Sequence, residues 1–205
     1  DRIDINQFLG KNKALLSIFA GSRISEITVL MPILLNFIKL MNKKYNDITF
    51  VFHATKNHNE LILSYIKNTD LNNCEVISDD KIKAHLLKKS IFAVAKSGTV
   101  SLEISNAQIP SIILYKMNFI NFLIIKMLIK IKYANIINIA AKEEVIPELL
   151  QSNCNPKNIY KVVSDFLDTP SKAQEQIEKT QAVLNKLKTE KSSSESACKA
   201  LNKLL

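Results

Sequence analysis

The sequence predicts an α/β protein with a doubly wound parallel sheet and helices at its carboxyl-terminal end. Short apolar runs alternate along the chain with longer segments that have helical periodicity. The runs are apolar throughout, which is typical of parallel strands covered on both faces. With 205 residues, of which 47% are hydrophobic, the chain can bury a core of this kind.

Five apolar runs are predicted to be strands, and they lie at 14–20, 48–54, 74–78, 91–96 and 111–116. The helices between them are predicted at 27–41, 58–68, 80–89 and 100–106. Pro32 lies inside the first helical pattern and indicates either a position near the first turn or a kink. From Glu143 onward no strand is predicted, and 145–151, 155–167 and the polar tail from Thr169 are interpreted as helices.

The charge of the chain restricts the classes of partner. A net charge of +9 and a pI near 9.4 suit a phosphorylated ligand, nucleic acid or an acidic membrane surface. Lysines that only solvate helix faces explain the same numbers, and both interpretations stay open. No Arg/Lys block is interleaved with aromatic residues, so nucleic acid is not expected. Arginine occurs only at Arg2 and Arg23, which makes Arg23 conspicuous.

Cysteine and histidine spacing predicts neither disulfides nor a metal site. Cys74, Cys154 and Cys198 are far apart, and the sequence has no signal peptide, which suits free thiols in a reducing cytosol. His53 and His58 are five residues apart, whereas helical zinc ligands are about four apart with a third ligand. We therefore expect no metal and no cofactor.

The turn after the first strand, "GSR", has the composition of a phosphate clamp. Gly21 permits a close turn, Ser22 can cap the following helix, and Arg23 offers a planar donor fork. The helix N-terminus adds partial positive charge. An ordinary capped turn in which Arg23 pairs with Glu26 explains these residues equally well.

The turn after the fourth strand, "SGT", can be interpreted in the same way. Ser97, Gly98 and Thr99 would surround phosphate oxygens with hydroxyl and backbone N–H groups. Glu103 follows about one helical turn later, and a carboxylate beside phosphate suits a vicinal diol such as ribose. A solvated glutamate in the first turn is the alternative. Neither G-x-G-x-x-G nor the P-loop signature occurs.

The segment "MNFINFLIIKMLIKIKYANIIN" at 117–138 is unusually apolar but carries Lys126 and Lys130. It is too short and too charged to span a bilayer. One interpretation is an interfacial helix that contacts anionic lipid or an acyl chain. The other is a helix buried against the sheet whose lysines extend to solvent.

The motifs "GSRISEI", "SGTVSLE", "PSIILYK", "YANIINI" and "VIPELLQ", in this order, resemble lipid-A-disaccharide synthase from about Ser17 to Leu167. The resemblance implies a metal-independent, inverting glycosyltransferase with the glycosyltransferase B fold. Such enzymes transfer 2,3-diacylglucosamine from its UDP derivative to 2,3-diacylglucosamine 1-phosphate, which forms lipid A disaccharide and UDP. They work in the cytoplasm at the inner membrane of Gram-negative bacteria.

Under this resemblance the chain is the carboxyl-terminal, donor-binding half of the enzyme. Residues 1–168 would form a Rossmann-like UDP-sugar-binding domain, and 169–205 a helical tail that packs on it or on the missing amino-terminal domain. The implied nucleotide-binding residues are Gly21, Ser22, Arg23, Ser97, Gly98, Thr99 and Glu103. The implied substrate-binding residues are Tyr115, Asn138, Glu148 and Gln151. No catalytic residue is expected in the chain, because the family's acid/base carboxylate lies in the amino-terminal half.

Three departures from the family pattern weaken the site assignments more than the family itself. Phe19-Ala20 replaces Leu-Pro, Ile137 replaces a proline, and Lys116 replaces an arginine that is often found there. Two rivals stay open. One is another UDP-sugar transferase of the same fold with a lipid-linked acceptor, such as the peptidoglycan enzyme, and the other is a non-catalytic, membrane-associated remnant. The sequence also leaves a homodimer open.

Overall fold

The computed structural model describes residues 12, 14–116 and 132–187. Within them the chain forms one six-stranded sheet in which every neighbouring pair is parallel. The strands are β1 (Ala14–Phe19), β2 (Ile48–His53), β3 (Cys74–Ile77), β4 (Ser90–Lys96), β5 (Ser111–Tyr115) and β6 (Glu148–Leu150). The five predicted strands are thereby confirmed.

Seven α-helices accompany the sheet in the described part of the chain. They are α1 (Ile24–Met41), α2 (Asn59–Lys67), α3 (Asp80–Lys89), α4 (Val100–Asn106), α5 (Ile136–Ala141), α6 (Pro156–Asp168) and α7 (Pro170–Leu187). Short 3-10 turns occupy Lys56–His58 and Gln151–Asn153. The predicted interfacial or buried helix at 117–138 falls largely outside the described residues.

The strand order, β3-β2-β1-β4-β5-β6, contains one reversal of direction. The chain moves outward from β1 to β3 and then returns to the free side of β1, where β4 pairs with it. In open parallel sheets, ligands bind in the crevice beyond the carboxyl ends of the strands at such a switch point. Here that crevice lies between the ends of β1 and β4.

Helices cover both faces of the sheet because alternate side chains of each strand point to opposite faces. On one face Leu16, Phe50 and Phe92 pack with the buried sides of α1, α2 and α6. On the other face Ala93 and Ile113 pack with α4, α5 and α7. Helix α3 covers Leu15 and Val51 on this second face. The doubly wound architecture is confirmed.

Helix α1 is an apolar core helix. Its length and composition would also suit a membrane span, and it alone meets that test among the helices that the structure describes. Its inward residues, including Phe37 and Met41, are buried against the sheet. Pro32 lies in the interior of the helix on its exposed side, which excludes the first-turn position, one of the two alternatives for this residue.

The interpretation of 145–151 as a helix is also wrong. Glu148, Leu149 and Leu150 pair with Ile113–Tyr115 and extend the sheet as β6. The strand is three residues long, too short for a period-2 pattern. Pairing with the free edge of β5 therefore decides its conformation, and Pro147 additionally favours extended backbone at the residue before it. The predicted helices at 155–167 and after Thr169 are confirmed as α6 and α7.

Candidate functional site

A cavity of about 640 Å³ opens at the switch point between β1 and β4. The loop after β1, Gly21–Arg23, forms part of its lining, and the loop after β4, Ser97–Thr99, forms another part. Parallel pairing of β1 with β4 brings these two loops together, although they are about 75 residues apart in sequence. The two turns singled out in the sequence therefore belong to one site.

The predicted nucleotide-binding residues all line this cavity. They are Gly21, Ser22, Arg23, Ser97, Gly98, Thr99 and Glu103. The structure brings them together, while their roles toward a ligand remain predictions. Further lining comes from residues that sequence reasoning missed, namely Lys96 and a second group around His53 and Lys83.

Glu26 joins the two loops through its carboxylate. Oε2 accepts a hydrogen bond from the backbone N–H of Ser22 at 3.1 Å. Oε1 lies 2.8 Å from Nζ of Lys96 at the end of β4 and 3.5 Å from Nη1 of Arg23. The side chain of Glu26 is only 13% exposed, whereas that of Arg23 is 78% exposed. Glu26 therefore holds the GSR loop against the end of β4, while the Arg23 side chain stays accessible to a ligand.

The expectation that Ser22 caps the next helix is wrong. Helix α1 begins at Ile24, and its N-cap residue is Arg23, which makes no side-chain capping bond. The Glu26 carboxylate instead accepts the N–H of Ser22, much as the second half of a capping box does. The alternative pairing of Arg23 with Glu26 is present, but it is a long contact at the surface.

The environment of Glu26 favours its ionised form. Burial raises the pKa of the carboxyl, but the hydrogen bond and charge of Lys96 and the N–H groups of Ser22 and Arg23 outweigh burial, so that its pKa lies below the ordinary value. At this end of the cavity, Arg23 and Lys96 therefore share the single carboxylate of Glu26. This leaves net positive charge beside the GSR loop.

Ser97 uses its polar groups within the protein. Its N–H donates to the carbonyl of Leu114 at 2.9 Å, and its hydroxyl donates to the carbonyl of Ala134 at 2.8 Å. Gly98 and Thr99 are exposed at the cavity, as is Glu103 on α4. In this arrangement the hydrogen bonds of Ser97 hold the loop in place, and Gly98 and Thr99 are the loop residues exposed to the cavity.

The far end of the cavity is built around His53, a residue whose sequence context gave no signal. Its ring stacks on Phe19 with 4.3 Å between centroids. Nε2 lies 2.7 Å from Oγ of Ser17, which lies 2.7 Å from Oγ of Ser90. The Ser90 hydroxyl donates to the Leu86 carbonyl, so Ser17 must donate to Ser90 and accept from His53. This relay assigns the proton of the imidazole to Nε2.

His53 is neutral in this environment. Burial, assisted by the charge of Lys83, lowers the pKa of the imidazole to about 3. Lys83 is itself engaged, since Nζ lies 2.6 Å from the Asp80 carboxylate and donates to the Ala54 carbonyl at 3.2 Å. This end of the cavity is therefore close to electrically neutral, in contrast to the Arg23–Lys96 end.

The four predicted substrate-binding residues do not line the cavity, although all of them lie in the described part of the chain. Tyr115 ends β5, and its ring lies 5.7 Å from Nζ of Lys96. Gln151 follows β6 with a φ of +48°. Asn138 is completely buried, and Glu148 is the first residue of β6.

Asn138 and Glu148 form a hydrogen-bonded unit. The Glu148 carboxylate accepts from the N–H groups of Ala134 and Asn135 at 2.7 and 2.9 Å, and from Nδ2 of Asn138 at 2.8 Å. Oδ1 of Asn138 accepts from the N–H groups of Val145 and Ile146, at 2.9 Å each. Since the carbonyl of Ala134 also accepts a hydrogen bond from the Ser97 hydroxyl, this unit is connected to the SGT loop through Ala134.

The structure agrees with free thiols at two of the three cysteines. Cys74 and Cys154 are unpaired with each other, and burial raises their pKa to about 12 and about 11 respectively. Cys198 lies outside the described residues. Among the residues that are described, no group of three His, Cys, Asp or Glu side chains is placed to hold a metal ion.

Comparisons with known sequences match this chain to one protein family. The profile of the family described as Lipid-A-disaccharide synthetase matches residues 1–201. The lipid-A-disaccharide synthase of Rickettsia prowazekii (strain Madrid E) is 36% identical over 180 residues, which are 87% of this chain and 47% of that protein. The synthase of Sulfurihydrogenibium sp. (strain YO3AOP1) is 34% identical over 165 residues, covering 77% of this chain and 42% of that protein. The chain thus spans about half the length of the curated relatives that it matches.

Solved structures share the fold at low sequence identity. The C-terminal domain of a group 1 family glycosyl transferase (LpcC) from Francisella tularensis superposes with a TM-score of 0.57 at 14% identity, covering 89% of this chain and 92% of that one. The S. aureus MnaA–UDP co-structure gives a TM-score of 0.61 at 15% identity over 91% of this chain and 48% of that one. These similarities establish the glycosyltransferase B type of sheet domain.

Proposed function

The chain belongs to the lipid-A-disaccharide synthase family, and on this premise we propose that it is the donor-binding half of a hexosyltransferase. It binds the UDP part of UDP-2,3-diacylglucosamine in the cavity between β1 and β4. The complete enzyme transfers the sugar to 2,3-diacylglucosamine 1-phosphate and releases UDP.

One observation carries the proposal. The two small-residue loops and Glu103, chosen from the sequence for diphosphate and ribose, line a single cavity at the switch point of the sheet. Neither composition nor the local turns required this meeting, which results from the strand order. The S. aureus MnaA structure, which shares the fold, was solved with UDP.

Each part of the cavity has a distinct task in this proposal. Arg23 and the backbone N–H groups of Gly98 and Thr99 bind the diphosphate and neutralise the charge that develops as UDP departs. Glu103, exposed one turn beyond the SGT loop, accepts hydrogen bonds from the two ribose hydroxyls. The neutral end with Phe19 and His53 receives the uracil, because a flat and uncharged ring suits an aromatic, neutral wall.

The chain supplies leaving-group stabilisation but not the base. Deprotonation of the acceptor hydroxyl needs a general base. The resemblance assigns that carboxylate to the amino-terminal half, so we expect this chain to bind UDP and to turn nothing over alone. Because both substrates carry acyl chains, we place the reaction of the complete enzyme at the cytoplasmic surface of the inner membrane.

The test is a titration of the chain with UDP by calorimetry, with Arg23→Ala and Glu103→Ala in parallel. Each substitution removes one charge-assisted contact, so we expect each to weaken UDP binding about tenfold or more. Glu178→Ala, on the exposed side of α7, is the matched control for Glu103→Ala and should bind as the unsubstituted chain does. Unchanged affinity in both site variants would refute this site.

A second candidate, a UDP-sugar transferase with a different lipid-linked acceptor, is favoured by the same cavity. Donor preference separates the two. The proposal expects UDP-2,3-diacylglucosamine to bind more tightly than UDP-N-acetylglucosamine when the complete enzyme is used. Equal affinities would favour the second candidate.

A further inference from the structure

Lys96, the last residue of β4, is a cation of the cavity to which neither its sequence context nor the family resemblance gave a role. Its ammonium lies between two side chains that hold it. Nζ is 2.8 Å from Oε1 of Glu26 and 5.7 Å from the centre of the Tyr115 ring. The side chain is 20% exposed and lines the cavity directly before the SGT loop.

This arrangement leaves hydrogen-bonding capacity on Lys96. An ammonium has three N–H donors, and contact with an aromatic face consumes none of them. In the part of the chain that the structure describes, Nζ contacts the Glu26 carboxylate and the Tyr115 ring. Lys83, the other lysine of the cavity, is occupied by Asp80 and by the Ala54 carbonyl. Lys96 therefore has more N–H donors available to a ligand than Lys83 has.

The position of Lys96 also fixes which part of a ligand it can meet. It lies beside Ser97 and is joined through Glu26 to Ser22 and Arg23, so it belongs to the positive end of the cavity. Glu26 is mostly buried, and its carboxylate limits where the ammonium can go. A cation that is held in advance costs less to order when a ligand binds.

We propose that Lys96 is a further phosphate-binding residue, positioned by Glu26, that contacts the diphosphate of the ligand. This inference rests on the proposed function, since the diphosphate is that of the UDP-sugar. Lys96 and Arg23 then approach the anion from the ends of two different strands, β4 and β1. Since both contacts strengthen as charge accumulates on departing UDP, Lys96 also stabilises the leaving group.

The experiment compares three ligands, which are UDP, inorganic pyrophosphate and uridine, on the chain and on two variants of Lys96. Lys96→Met keeps an unbranched side chain of similar length and removes the charge, whereas Lys96→Arg keeps the charge. Lys67→Met, on the exposed end of α2, changes net charge equally and is the control. Binding is followed by NMR titration, which also reports whether each variant is folded.

We expect Lys96→Met to weaken UDP and pyrophosphate about tenfold to a hundredfold, the range of a hydrogen bond to a charged group, and to leave uridine unchanged. Lys96→Arg should recover part of the loss, and Lys67→Met should behave as the unsubstituted chain. Undiminished UDP binding by Lys96→Met would overturn the inference while leaving the proposed function intact. An equal loss of uridine would overturn it as well, because Lys96 would then act on the whole cavity.

Pyrophosphate distinguishes the failure of the inference from that of the proposed function. If the unsubstituted chain binds pyrophosphate in a Lys96-dependent manner but gains nothing from the nucleoside, the nucleotide assignment fails and the role of Lys96 stands. If it binds neither UDP nor pyrophosphate, both fail.

Discussion

Gly21 and Gly98 lie in the two loops of the cavity but meet different constraints. Gly21 has a φ of +116°, and a Cβ atom there would lie 2.6 Å from Oε2 and 2.8 Å from Cβ of Glu26. Gly98 has an ordinary φ, and a Cβ atom would meet nothing within 4 Å. Only the first glycine is therefore required by the folded backbone.

We predict that Gly21→Ala destabilises the chain by about 1–3 kcal/mol, because the new methyl group combines a disfavoured φ with a contact that Glu26 must relieve. It should also weaken UDP binding, since Glu26 holds both Ser22 and Lys96. Gly98→Ala is the matched control and should keep the stability of the unsubstituted chain. Urea unfolding of both variants checks this, and equal stabilities would contradict the account of the GSR loop.

His53 predicts a dependence of stability on pH. Because its pKa falls from 6.5 to about 3 on folding, the unfolded chain takes up a proton near pH 6.5 and the folded chain only near pH 3. Protonation of His53 in the unfolded chain therefore costs no stability above pH 6.5, and the free energy of unfolding decreases as the pH falls from 6.5 toward 3. The maximal slope is about 1.4 kcal/mol per pH unit.

His53→Gln provides the comparison, since glutamine keeps a donor for Ser17 and does not titrate. We expect the free energy of unfolding of the unsubstituted chain to fall more steeply than that of the variant between pH 6.5 and 5, where few carboxylates titrate. Urea unfolding at pH 7, 6 and 5 measures both slopes. Parallel slopes would show that His53 is not buried in its neutral form.

At the scale of single residues, the sequence identified the two loops but not the contacts inside them. Gly21, Arg23 and Glu103 stood out because glycine and arginine are rare here and the motifs have a known order. Lys96 and His53 gave no local signal, because their roles depend on Glu26 and Ser17 on other elements. Such pairings arise from strand order, which no short motif encodes.

At the scale of elements, one amide side chain on helix α7 bonds to the backbone at the start of β5. Oε1 of Gln176 accepts from the N–H of Ser111 at 2.6 Å, and Nε2 donates to the carbonyl of Ser111 at 3.0 Å. Both residues are buried. Gln176 thereby satisfies backbone groups at the start of β5 and joins the tail to the sheet.

We predict that Gln176→Ala lowers the free energy of unfolding by about 1–3 kcal/mol, because buried N–H and C=O groups of Ser111 lose their partners. Gln174→Ala, on the exposed side of the same helix, should have little effect. Thermal or urea unfolding checks the difference. Equal effects of the two substitutions would mean that α7 is not held through Ser111.

Among the elements, the sequence predicted those whose own pattern decides their structure. Strands β1, β2, β4 and β5 are largely buried apolar runs, and α1 has an unbroken apolar side, so each was predictable. Strand β3 is only partly buried, but its short apolar run also predicted a strand. Strand β6 was not predictable, because three residues cannot show a period and the edge of β5 imposes the conformation. Asn138 and Glu148 were predicted to bind substrate because of their sequence motifs. In the structure they bond to each other, and Glu148 at the start of β6 holds Ala134, whose carbonyl accepts from Ser97.

At the scale of the whole molecule, the proposed function requires that UDP occupies the cavity between β1 and β4. The chain spans about half the length of its relatives, so it is suited to a binding measurement rather than to an assay of turnover. An amide-resolved view is the most direct, because residues of both loops line the cavity.

The decisive measurement is a ¹H–¹⁵N NMR titration of the chain with UDP. We predict saturable shifts that concentrate at Gly21–Arg23 and at Ser97–Val100, with further shifts around His53. Uridine alone should shift the His53 region and affect the two loops much less. Saturable binding whose shifts lie away from both loops, or the absence of any saturable shift, would contradict the proposed site.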